Sequence, residues 1–135
     1  MLTYKTSPKI TNAELSELFA NAWTGQIPTE YANQLTSDNV WVCAYDGGKL
    51  VGFVRVVWDA GKHGFVLDTT THTDYQNHGI GTELLSRVAA ASRDRGIKWL
   101  HVDFESRLTE FYRRSGFQHT EAGLMNLESD TPIQD

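Results

Sequence analysis

Two long apolar runs dominate the middle of the chain. Residues 40–45 and 50–58 carry hydrophobic side chains almost without a break, rich in Val, and Asp46-Gly47-Gly48-Lys49 separates them. β-Branched runs closed by a glycine turn predict the two strands of a hairpin. Asp59-Ala60-Gly61-Lys62 turns the chain again, and residues 63–71 predict the next strand. Upstream, residues 1–7 predict a short edge strand, and Thr11-Asn12-Ala13-Glu14 reads as a capping box that opens a helix. Its apolar stripe is Leu15, Leu18, Phe19 and Ala22, and it runs to about Trp23. Residues 24–28 break it, and residues 29–35 predict a second short helix.

Downstream the apolar period changes. Ile80, Leu84, Val88 and Ala91 fall on one helical face, in a helix that runs to about Arg95, with Gly96 as its C-terminal cap. Residues 97–104 predict a strand reached by a parallel-type crossover. A further helix is expected over residues 106–116, then one or two final strands over residues 117–127 around Glu121-Ala122-Gly123. Residues 129–135 read as a frayed polar tail. The sum is an α+β fold, a mixed and mostly antiparallel sheet flanked by helices, in one domain spanning residues 1–135.

Composition narrows the class. The chain has 135 residues, 40% hydrophobic and 21% charged, which fits a soluble globular domain. A net charge of −5 disfavours a general nucleic-acid binder. No run approaches the roughly eighteen apolar residues of a membrane helix, and the N-terminus lacks an apolar signal core. The single cysteine, Cys43, suits a reducing cytoplasm. In an apolar strand it reads as a small buried side chain before it reads as a nucleophile.

The segment with the most chemistry is Tyr75-Gln76-Asn77-His78-Gly79-Ile80-Gly81-Thr82, between the third strand of the hairpin region and the following helix. A glycine turn at a helix N-terminus presents backbone N–H groups to an anion. It is not a Walker loop, because no lysine follows Gly81, and not the dinucleotide fingerprint, because Leu84 stands where the third glycine would be. A diphosphate is the natural ligand; an ordinary strand–helix turn is the plainer alternative.

What remains is Gln-x-x-Gly-x-Gly, made by Gln76, Gly79 and Gly81. It resembles the coenzyme A pyrophosphate loop of the GNAT acetyltransferases. A second patch, Phe111-Tyr112-Arg113-Arg114-Ser115-Gly116-Phe117, resembles that family's Phe-Tyr-x-x-x-Gly-Phe. Order and spacing agree over residues 40–127. The resemblance implies a GNAT-like sheet and acetyl-coenzyme A as co-substrate, with no metal. It places the diphosphate on Gln76, Asn77, His78, Gly79, Ile80, Gly81 and Thr82, and the pantetheine arm on the main chain of Thr69, Thr70 and Thr71. It makes Tyr112 the acid that protonates the leaving thiolate; a packed aromatic is the other reading. His78 departs from the family's usual Arg or Lys, and Glu105 from its usual Asn.

Transfer to an amine also needs a proton acceptor, since an alkylamine arrives mostly as ammonium. Glu105 and Asp68 are the candidates. His101, Asp103 and Glu105 alternate along the strand predicted there and share a face, either a solvated edge or a substrate lining. By family analogy the acceptor pocket falls to the early helices, where Trp23, Ile27, Pro28 and Tyr31 are available as a cradle or as core. His72, His78 and His101 lack metal-ligand spacing. The expected reaction is acetyl transfer to a primary amine, small molecule or peptide, by direct attack in a ternary complex. The other readings are a weakly catalytic coenzyme A-binding sensor or interaction module, and a nucleotide-binding protein with an atypical loop. Neither nucleic acid nor membrane is expected as a partner; monomer and homodimer are both left open.

Overall fold

The Val-rich runs form the strands they predict. The structure, a computed structural model, describes residues 1–128. Its chain order is β1 (Leu2–Thr6), α1 (Asn12–Ala22), β2 (Asn39–Asp46), β3 (Lys49–Trp58), β4 (His63–Thr71), α2 (Ile80–Asp94), β5 (Trp99–His101) and α3 (Thr109–Arg114). Single 3-10 turns occur at Tyr31–Gln34, Thr73–Tyr75 and Ser106–Leu108. The described chain falls into two compact units, Met1–Val102 and the residues from Asp103 on.

In the first unit the sheet order is β1-β2-β3-β4-β5. The first three pairings are antiparallel and β4–β5 is parallel, so the expected mixed sheet is present. Alternation along β3 puts neighbouring residues on opposite faces. Phe53 meets Phe19 of α1, with ring centroids 5.9 Å apart. Gly52 turns the other way, where an added Cβ would lie 3.0 Å from both Ile80 Cγ2 and Leu84 Cδ1 of α2. The two helices therefore cover opposite faces, and the missing side chain lets α2 sit close on the sheet. Leu15, Leu18, Phe19, Tyr31, Cys43 and Phe53 form the core beneath α1. The capping box forms as read: the Thr11 side chain accepts from the Glu14 N–H, and the Glu14 carboxylate accepts from the Thr11 N–H.

Three expectations are corrected. The short helix over residues 29–35 is only the turn Tyr31–Gln34. The strand over residues 97–104 shrinks to Trp99–His101, because β5 meets β4 only at His63, Gly64 and Phe65. His101, Asp103 and Glu105 therefore do not share a strand face; His101 instead faces His63, with Nδ1 of His63 2.7 Å from Nε2 of His101. No strand forms over residues 117–127. That segment has a single β-branched residue, Thr120, and little to bury: Leu124, Met125 and Leu127 are 66%, 82% and 89% exposed. The predicted tail, residues 129–135, lies outside the described residues.

Candidate active site

The site begins with an irregularity in β4. On β3, Phe53 pairs with Thr70 and Arg55 with Leu67, so Asp68 and Thr69 together oppose Val54. This is a β-bulge, and Asp68 takes a left-handed backbone with φ +60°. A bulge bends its strand and sharpens its twist. β5 pairs with β4 only before the bulge, so on that side Thr69, Thr70 and Thr71 have no strand partner among the described residues. An extended ligand carrying amides can pair with such an edge.

After β4 the chain turns through Thr73–Tyr75. His72 holds this turn: its N–H donates to the Val51 carbonyl (2.8 Å) and its Nδ1 accepts from the Asp74 N–H (3.1 Å). The Tyr75 hydroxyl donates to Asp46 at 2.6 Å, and the Gln76 amide reaches the Thr71 carbonyl at 3.5 Å. Asn77 and Gly79 both have positive φ, +64° and +82°. Gly79 is the N-cap of α2 and supplies no side-chain hydrogen bond to it. The amides of the first helical turn thus point from an uncapped terminus, where the helix dipole favours an anion. Ile80 is buried and anchors the helix start, while Gln76, Asn77, His78 and Gly79 are exposed around it. An added Cβ at Gly79 would meet nothing within 4 Å, so the surface there is open. Backbone and loop fit a diphosphate.

The predicted acceptor residues come to the same strand. Trp23 stacks on Phe19 at 3.9 Å, and its indole N–H donates to Thr70 Oγ1 at 3.0 Å. Thr70 in turn donates to the Asp68 carbonyl at 2.8 Å. The Tyr31 hydroxyl donates to the Asp68 carboxylate at 2.5 Å. Burial, and then that carboxylate, push the Tyr31 hydroxyl far above the usual tyrosine range. Ile27 is partly buried against the core. Tyr31 is therefore a core aromatic and Trp23 a partly buried one packed against the core, and both neighbour the bulge.

Arg55 is a neighbour of the bulge that sequence patterning did not single out. Its guanidinium lies over the Tyr31 ring at 4.8 Å, with Nε 3.8 Å from Asp68 Oδ2. That separation is an ion contact and too long for a hydrogen bond, and Nε is buried without a hydrogen-bond partner. Other nitrogens reach Asn39 Oδ1 at 3.4 Å and Gln34 Oε1 at 3.2 Å. The available signal was a lone arginine inside the apolar run of β3.

In the second unit, Tyr112 is buried among three phenylalanine rings: Phe104 stacks at 4.8 Å, and Phe111 and Phe117 meet it edge-on at 5.0 and 5.8 Å. Glu105 is exposed and accepts from Arg107 Nε at 3.0 Å. Cys43 is fully buried in β2, and burial pushes its thiol up to about 12. Among the described residues no three His, Cys, Asp or Glu side chains gather as a metal site, and no helix is long and apolar enough to cross a membrane.

A bulged strand, a glycine loop and an uncapped helix follow one another here, an order that suits an extended, anionic ligand. The model of the acetyltransferase (GNAT) family matches residues 10–117, and the chain belongs to that family. It is 29% identical over 85 residues to an uncharacterized ycf52-like N-acetyltransferase of Prochlorococcus marinus, covering 63% of this chain and 47% of that protein. The chain spans about half the length of the curated relatives it matches. A probable acetyltransferase of unknown function from meticillin-resistant Staphylococcus aureus superposes with a TM-score of 0.80 at 21% identity, covering 94% of this chain and 98% of that one. A GNAT-family acetyltransferase from Streptococcus pneumoniae gives 0.76 at 24% identity, covering 94% and 99%. At such identities these two speak for the fold alone.

Proposed function

We propose that this chain transfers an acetyl group from acetyl-coenzyme A to a primary amine, of a small molecule or a peptide, by direct attack in a ternary complex. The observation that carries the reading is the bulge at Asp68 and Thr69 leading into an uncapped glycine turn at α2. The free edge of Thr69, Thr70 and Thr71 suits the pantetheine amides, and residues 76–82 suit the diphosphate.

The amine nitrogen bonds to the acetyl carbon as the carbon–sulfur bond breaks. A backbone N–H at Thr69 supports charge developing on the carbonyl oxygen; in well-studied enzymes one such donor is worth about 3 kcal/mol. Tyr112 returns a proton to the thiolate, a role that rests on its motif. Asp68 is already engaged by Tyr31 and Arg55. The exposed Glu105, paired with Arg107, is therefore the better candidate of the two to take the proton that the amine sheds, through water. A covalent route through Cys43 is disfavoured by its burial and its suppressed ionisation.

Calorimetry with acetyl-coenzyme A, beside Gly79→Trp, tests the loop, and coenzyme A release over an amine panel tests turnover. Micromolar binding lost in the variant, with amine-dependent release, is expected. Binding without release would favour the sensor; no binding at millimolar cofactor would refute both.

A further inference from the structure

We infer that Tyr31 is a positioning residue: its hydroxyl, bound to the Asp68 carboxylate, holds the β4 bulge that aims the Thr69 amide at the reacting carbonyl. The inference rests on the acetyl-transfer reading and adds to it the part that keeps the site in shape.

The bulge does not hold itself. Asp68 carries a Cβ in a left-handed conformation that residues other than glycine rarely adopt, with φ +60°. Such a backbone persists where its surroundings over-determine it. Here they do so from two sides. The main-chain carbonyl of Asp68 accepts from Thr70 Oγ1, which also accepts from Trp23. The carboxylate accepts from Tyr31 and faces the Arg55 guanidinium.

Tyr31 is built to deliver that contact. Its ring is 4% exposed and is held edge-on by Phe19 at 4.9 Å and Phe53 at 5.6 Å. Its turn is pinned to the start of α1, because the Ala32 N–H donates to Asn12 Oδ1 at 2.7 Å. Held by these two rings and by the Arg55 guanidinium over it at 4.8 Å, the buried ring directs its hydroxyl at Asp68. Burial and the Asp68 carboxylate also raise the pKa of that hydroxyl, which favours the protonated, donating form. The clamp thus ties the α1–β2 connection to Asp68, the left-handed residue of the bulge.

Tyr31→Phe keeps the ring and deletes only the hydroxyl. In the full chain, kcat for amine-dependent coenzyme A release should fall about tenfold or more, since small misplacements at a reacting centre are costly. The KM for acetyl-coenzyme A should change much less than kcat, because the loop and helix proposed to hold the diphosphate are untouched even where the pantetheine edge loosens. Asp68→Asn, which tolerates the left-handed backbone and keeps an acceptor, should lose less. The double variant should be no worse than Tyr31→Phe, as expected of one coupled unit. A Tyr31→Phe enzyme with unchanged kcat, or with loss carried wholly by KM, overturns the inference. If the wild type turns over no amine, the acetyltransferase reading fails and hydrogen exchange decides the clamp. Tyr31→Phe should then speed exchange at residues 68–70 about tenfold; unchanged exchange overturns it.

Discussion

The Trp23 indole N–H donates to the Thr70 hydroxyl at 3.0 Å, joining the end of α1 to the strand proposed to hold the cofactor. Thr70 is itself 3% exposed. Thr70→Val keeps the shape and removes both hydrogen bonds of the hydroxyl, leaving the indole donor partly buried and unpaired. A loss of about 1–3 kcal/mol is expected from the orphaned donor, read by urea denaturation. Tryptophan emission of the folded variant should shift as the indole environment changes. Stability within about 0.5 kcal/mol of wild type, the usual range for a surface change, would show that the contact contributes little.

Gly79 adopts φ +82° at the N-cap of α2, with open space where a Cβ would go. Gly79→Ala should cost about 1–2 kcal/mol through the left-handed backbone alone. Gly79→Asn should cost less, since Asn visits that region more readily. Both should weaken coenzyme A binding, because each places a side chain where the diphosphate is proposed to lie. Comparing denaturation with calorimetry separates strain from ligand exclusion. An alanine variant that binds as wild type does would move the diphosphate away from this residue.

The features that rest on neighbouring residues are legible in the sequence. The capping box at Thr11 and Glu14, the hairpin at Gly47 and Gly48, and the turn from β4 into α2 each follow from short-range chemistry. The bulge is not legible there: nothing in Asp-Thr-Thr-Thr marks Asp68 as left-handed, because the register is set by what β3 places opposite it. The Arg55–Tyr31–Asp68 cluster joins residues far apart in the chain, which no spacing rule connects. The strands expected over residues 117–127 fail for a related reason, since leucines and a methionine predict a strand only if a face exists for them to bury.

Cys43 gives a pH prediction with a definite sign. Burial raises its thiol from 9.0 to about 12. The folded state therefore keeps a proton that the unfolded chain has lost between these values. A group raised on folding contributes stability that is present below its unfolded pKa and lost as pH rises through the folded one. Stability should decline from pH 9 toward about 12, and Tyr45, also raised by burial, adds to the decline. Cys43→Ala should make that slope shallower in urea titrations across the range. A slope identical to wild type would mean that the thiol is not shielded as its burial indicates. Iodoacetamide at pH 8 should label the unfolded chain and spare the folded one.

Tyr112 offers the sharpest separation of chemistry from packing. Its ring is surrounded by Phe104, Phe111 and Phe117, so Tyr112→Phe preserves the aromatic cluster and removes one oxygen. If the hydroxyl protonates the leaving thiolate, kcat should drop about a hundredfold, within the usual range for one general acid. Acetyl-coenzyme A binding by calorimetry should hold, because the diphosphate loop lies elsewhere in the chain. The drop should ease with an acyl donor whose thiol leaves more readily, since a better leaving group needs less help from an acid. A purely structural tyrosine would give the opposite pattern: altered stability, and a loss of rate that does not depend on the leaving thiol.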